Sequence, residues 1–139
     1  MADVVTIVWN ESAYNRAFHD WDGMTGRYIG NRAERLASLA RTTAGVRTGA
    51  LVSRIGVRRS HRGRALEAKV GVNVNMPDTA RSRGYGWFHH EGTLPHVISA
   101  RGKALRFVAG GSVLYRKSVH HPGTKPNDYL TGHLREVIR

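Results

Sequence analysis

The chain contains no cysteine, so neither a disulfide nor a cysteine-based zinc site can hold it together. That fits a protein made in a reducing compartment. A long apolar run is also missing: nothing approaches the roughly 18 apolar residues of a membrane span, and no membrane partner is expected. Met1 to Trp9 has neither the basic flank nor the cleavage site of a signal peptide, so none is expected. Acidic residues are scarce, 10 against 22 Lys and Arg, for a formal charge of +12. Asp20, Asp22 and Glu34 fall within one helical pattern, and Glu67, Asp78, Glu91 and Asp128 are scattered. No two stand at the spacing a metal-dependent nuclease needs. A serine nucleophile elbow and a phosphate-cradling loop are absent as well. The chain does not read as an enzyme, and no cofactor is expected.

What is present is enough for one domain over residues 1–139, with 40% hydrophobic residues. Val4 to Trp9 is a β-branched run, expected as a strand or an ordered N-terminal arm within residues 1–10. Asn10 or Ser12 can cap the helix that follows. Tyr14, Phe18, Trp21, Thr25, Tyr28, Arg32, Leu36 and Leu39 recur at helical spacing. They predict an amphipathic helix from Glu11 to Arg41 with the aromatic stripe as its core face and a kink or break near Gly23 to Gly30. Thr48 to Ile55 reads as a helical turn leading into a strand. Leu66 to Asn75 alternates like a strand, Met76 to Arg83 reads as a loop, and Gly84 to His90 is rich in aromatics. Val97–Ile98, Leu105–Val108 and Val113–Ser118 read as short strands. His121 to Asn127 is a loop, and Asp128 is placed to cap a last helix, Tyr129 to Arg139, whose face is Leu130, Leu134 and Ile138. Helix, then strands, then helix argues an α+β domain. No internal repeat is apparent.

Two clusters carry potential chemistry. Arg54, Arg58, Arg59, Arg62 and Arg64 form a basic run, expected at the exposed tip of a hairpin over residues 54–66. Such a run attracts polyanions, and it equally complements an acidic protein partner. It holds no aromatic residue, so base stacking is not suggested. His89, His90, Glu91 and His96 lie close in sequence, with His120 and His121 further on. Read as a strand, neighbouring histidines point to opposite faces, so His89 and His90 cannot both join one metal site. Gly92 and Pro95 exclude the helical zinc motif.

Three segments in order carry a resemblance. They are YGWFHHEGTLPHVI from Tyr85 to Ile98, GKALRF from Gly102 to Phe107, and SVHHPGTKPNDYL from Ser118 to Leu130. Together they resemble the tail-component family of long-tailed bacteriophages, which includes minor tail, tail-completion and neck proteins. The matching positions are Glu91, Gly92, Thr93, Pro95 and His96, then Ala104, Leu105, Arg106 and Phe107, then His121, Pro122, Gly123, Thr124, Lys125 and Pro126, with Tyr129 and Leu130 opening the last helix. The family tends to place an apolar residue before the acid, where this chain has His90. The match is best in the C-terminal half.

The resemblance implies an α+β subunit: a long N-terminal helix packed on an antiparallel β-sheet with an extended hairpin, and a short C-terminal helix. It implies a homo-oligomeric, sixfold ring in the virion neck that completes or caps the tail tube and joins it to the head connector. Partners would be other neck, connector and tail-tube proteins, with phage DNA passing through the lumen. Assembly would take place in the host cytoplasm. Under this reading Gly92 and Gly123 permit tight or left-handed turns, Pro122 and Pro126 stiffen the loop, and Arg106 pairs with Glu91 or a neighbouring subunit.

Overall fold

The computed structural model describes residues 6–45, 49–75 and 80–139, with the side chains of residues 80–83 left undescribed. The fold is α+β. Its order is α1 (Glu11–His19), α2 (Met24–Thr43), α3 (Ala50–Arg54), β1 (Ile55–Arg62), β2 (Ala65–Val72), α4 (Ala80–Glu91), β3 (His96–Ser99), β4 (Leu105–Ala109), β5 (Ser112–Arg116), β6 (Ser118–His121), a 3-10 turn (Thr131–His133) and α5 (Leu134–Ile138). Among the described residues the strands are antiparallel and form three two-stranded ladders, β1–β2, β3–β6 and β4–β5. The chain forms two compact units: residues 1–83 with 129–139, and residues 84–128.

In the first unit, Asn10 caps α1, its Oδ1 accepting from the Ala13 N–H at 2.9 Å. The expected long helix is present in two segments, α1 and α2. A Cβ on Gly23 would lie 1.9 Å from the Arg16 carbonyl oxygen, and one on Gly26 would lie 2.4 Å from that of Asp20. These glycines let the chain fold back on the end of α1 at a distance no other residue tolerates.

The buried face of α2 corrects the expected core. It consists of Gly26, Gly30, Ala33, Ala37 and Ala40, a run of small residues at helical spacing. Phe18 and Tyr28 on the aromatic stripe are instead 42% and 54% exposed. The physical reason is close approach: β1 and β2 pack directly on α2, and only small side chains let a helix backbone come that near a ribbon. The core gathers Ala37, Ala40, Ala44, Leu51, Ile55 and Tyr129, with Val52, Val57, Val70, Val72 and Leu130 against it. Arg41 ties α2 to the start of β1, donating to the Ile55 carbonyl from Nη2 at 2.8 Å and from Nε at 3.2 Å. Tyr129 is 1% exposed, and burial pushes its phenol above the ordinary value near 10.0.

Other expectations change at the ends. Thr6 to Trp9 has no regular structure, so the run is not a strand there, and Val4 and Val5 lie outside the described residues. Thr48 and Met76 to Thr79 also lie outside them. Ala80 to Glu91 is helical, not loop followed by strand, with a break at Gly84 (φ 42°, ψ −139°). The last helix begins at the 3-10 turn and no side chain caps it, so Asp128 is not its cap. Its buried residues are Tyr129 and Val137, while Leu134 and Ile138 face outward. The core takes the first residue of the segment and then one helix position, because the 3-10 turn shifts the phase of the pattern.

Candidate functional site

The basic run is not a loop. Arg58, Arg59 and Arg62 stand on β1, and only Gly63 and Arg64 form the turn into β2. Arg54 ends α3, its carbonyl accepting from the Asn73 N–H at 2.9 Å. Strand alternation sorts the rest. Ile55, Val57, Arg59 and His61 face α2. The Arg59 guanidinium lies 3.7 Å from Glu34 and 5.7 Å from the centre of the Trp21 ring. Gly30 is small because Arg59 occupies the space above it, 3.2 Å from where a Cβ would stand. His61 Nε2 donates to the His19 carbonyl at 3.2 Å. Arg64 is anchored too: its carbonyl accepts from His19 Nδ1 at 2.7 Å, and its Nη2 donates to Asn15 Oδ1 at 2.8 Å and to Glu11 at 3.5 Å. Arg59, His61 and Arg64 therefore dock the ribbon on the helices.

Arg58 and Arg62 point the other way. The register sets Arg58 opposite Lys69, Ser60 opposite Glu67 and Arg62 opposite Ala65 on that face. Lys69 lies 3.9 Å from Glu67, and the Ser60 hydroxyl donates to Glu67 Oε2 at 3.3 Å. Among the described residues neither Arg58 nor Arg62 has a carboxylate partner. Lys69 belongs to this face although the basic run does not contain it; the hairpin register is the signal that finds it.

In the second unit, the segments around Gly92 and Gly123 meet. The sequence Gly-Thr-x-Pro occurs twice, as Gly92-Thr93-Leu94-Pro95 and Gly123-Thr124-Lys125-Pro126, a recurrence too short to read as an internal repeat. The two copies pair antiparallel through a bridge between Thr93 and Thr124. Each threonine N–H donates to the other's carbonyl at 3.0 Å, and the hydroxyls are 3.1 Å apart. The glycines make this approach possible. Gly92 has φ 74° and Gly123 has φ 87°. A Cβ on Gly92 would meet the Thr124 oxygen at 2.6 Å and Pro126 Cδ at 3.0 Å; one on Gly123 would meet the Thr93 oxygen at 2.2 Å and Pro95 N at 3.1 Å.

Histidines surround this clasp. His89 and His90 lie on α4, not on a strand, and reach the adjacent residues Asn127 and Asp128. The Asn127 N–H donates to the carbonyls of both at 3.1 Å, and its side chain meets His89 Nε2 at 3.1 Å. His90 lies between two carboxylates, Nδ1 at 2.9 Å from Glu91 and Nε2 at 3.0 Å from Asp128. The two ring nitrogens of His90 thus both face acceptors. His96 and His121 are partners across β3–β6, with ring centres 5.1 Å apart. His121 Nδ1 accepts from the Gly123 N–H at 3.0 Å, while His96 Nδ1 donates to the Leu94 carbonyl at 2.8 Å. Asn127 was not foreseen as part of the site.

The middle motif stands apart: Leu105, Arg106 and Phe107 lie on β4, paired with Arg116, Tyr115 and Leu114 of β5. Among the described residues Arg106 makes no ion pair with Glu91, whose carboxylate is taken by His90. No group of three or more His, Asp or Glu side chains among the described residues is arranged to hold a metal ion, and no described helix is long and apolar enough to cross a membrane. Within residues 84–128 only Gly86 is buried. Trp87, Phe88, Leu94 and Pro95 line an open apolar cleft there. Trp9, ahead of α1, and Tyr14 and Phe18 on it form a stepped row with ring centres 5.1 and 4.9 Å apart. No protein-family model matches the chain, and neither does any curated protein or solved structure.

Proposed function

We propose that the chain is a structural virion protein of a tailed bacteriophage, a subunit of a sixfold ring at the head–tail junction. In this reading it completes or caps the tail tube and joins it to the head connector. It has no catalytic role and takes no cofactor. The observation that carries the reading is uncovered apolar surface. Residues 84–128 build two ladders and a helix yet bury no side chain of their own. Two-stranded ladders are marginal in water without cover, so this unit depends on a neighbour. Leu94 is 84% exposed and Val97 60%. The row Trp9, Tyr14 and Phe18 is a second apolar patch of different shape on the other unit. Subunits of a closed ring join head to tail and need two unlike surfaces, which these patches supply. The order of the three motifs supports the same family of virion parts, with a clasp that positions chain.

The test is complementation. A phage lysate lacking this chain should accumulate separate heads and tails, and purified protein should restore joined particles, with rings visible by negative stain. Joined, infectious particles formed without it would refute the proposal. A second reading, a nucleic-acid-binding protein that acts without forming rings, is favoured by Arg58 and Arg62, which have no carboxylate partner among the described residues. It predicts a monomer in sedimentation at all concentrations and no effect on head–tail joining.

A further inference from the structure

We propose that the outer face of the β1–β2 ribbon is a binding surface for the phosphate backbone of duplex DNA, with Arg58 and Arg62 as its main contacts and Lys69 beside them. This deepens the ring reading by naming what the subunit touches, and rests on that reading for the source of the duplex.

Three features select this face. First, the ribbon's positive charges are divided by role. Arg59 is held by Glu34 and Trp21, and Arg64 by Glu11 and Asn15. Arg58 and Arg62 have no acidic partner among the described residues, and Arg58 Nε is shielded from solvent without making a hydrogen bond. Second, Arg58 and Lys69 are direct cross-strand partners. Like charges set opposite each other destabilise a ladder, and a bound anion removes that cost. Third, the remaining residues of the face exclude other partners. A protein interface needs apolar anchors at its centre, and from Arg58 to Arg62 this face offers only Ser60 and Ala65 besides its charges, with Val74 lying over Gly56 and Gly71 at its end. Single strands are held by aromatic stacking, and the face has no aromatic residue. Protein–DNA contacts are polar and strongly positive, as here. Arg58 and Arg62 are separated by about 13 Å along the strand, the axial rise of about four base pairs. Glu67 is the one carboxylate on the face among the described residues, and it opposes the anion despite its contacts to Lys69 and Ser60.

The test uses the full-length protein, a fluorescent duplex of arbitrary sequence and a salt titration. The affinity of the Arg58→Gln/Arg62→Gln variant should fall less steeply with salt, the slope of log K against log salt dropping by about two. Between about 50 and 200 mM salt the native chain should then lose roughly tenfold more affinity than the variant. The comparator Arg101→Gln/Lys103→Gln removes the same charge from an exposed segment of the other unit and should leave the slope unchanged. Glu67→Gln should tighten binding. If the double variant fails to fold, Arg62→Gln alone, on an exposed residue, should lose a slope of about one.

Equal slope loss in the comparator, or none in the double variant, would overturn the proposal. So would competition by polyglutamate that depends on Arg58 and Arg62 while the duplex does not bind, which would make the face an acidic-protein surface. Sedimentation of the same variants separates the two claims. A native chain that never assembles but binds DNA through these residues removes the ring reading and leaves this one standing.

Discussion

Replacing Gly123 with alanine should open the clasp and little else. The added Cβ would stand 2.2 Å from the Thr93 carbonyl oxygen and 3.0 Å from the Leu94 carbonyl carbon. Both are backbone atoms that no rotamer change can move. The φ of 87° adds the cost of a left-handed conformation in a residue with a side chain, about 1–2 kcal/mol. Relieving the clash separates Thr93 from Thr124 and breaks their two backbone hydrogen bonds, each contributing about 0.5–1.5 kcal/mol. The sum is about 2–5 kcal/mol. At a factor of ten for every 1.4 kcal/mol, amide exchange in peptides covering 89–96 and 121–128 should accelerate roughly 30-fold to a few thousandfold. Peptides from β1 and β2 should exchange as before. Gly110→Ala is the matched control: it shares a positive φ of 58° but meets nothing within 4 Å. It should perturb only the β4–β5 turn, by about 1–2 kcal/mol. Native exchange at the clasp in Gly123→Ala would refute the assignment of the paired Gly-Thr-x-Pro segments as one structural device.

Further expectations follow from the first unit. Ala37→Leu should lower the urea midpoint by the equivalent of about 1–3 kcal/mol, because it overfills the closely packed face of α2, whereas Tyr28→Ala, which loses only its contact with Arg32, should cost about 0.5–1 kcal/mol. Asn10→Ala should destabilise α1 by about 0.5–2 kcal/mol, read by helical circular dichroism on melting. Tyr129 stays neutral in the core, so its phenol is raised. The stability this confers is full below the ordinary value near 10.0 and is lost as pH climbs through the raised folded value. Urea midpoints between about pH 8 and about pH 11 should therefore fall less steeply in Tyr129→Phe than in the native chain; identical curves would show that the phenol is not held from ionising.

Local patterns in the chain made much of this legible. Asn10 ahead of an apolar period is a helix start in any context, and alternation after Leu66 specifies a strand. Gly92 and Gly123 announced tight or left-handed turns, and the structure makes them left-handed. The basic run was visible at once, but the role of each arginine was not. Arg59 and Arg62 look alike in sequence, and only the pairing register puts Glu34 and Trp21 beside one and solvent beside the other.

Local patterns specified most of the elements and their order, because capping, alternation and turn chemistry act over a few residues, but they did not reveal the helix at Ala80–Glu91. Tertiary structure decided which stripe of α2 is buried. The aromatic stripe has the greater transfer energy, yet the alanine and glycine stripe is the one that lets a backbone approach a ribbon closely. Tertiary structure also joined Gly92-Thr93 to Gly123-Thr124 across 31 positions, since pairing between distant segments is set by where the intervening ladders turn the chain. No local pattern records that distance.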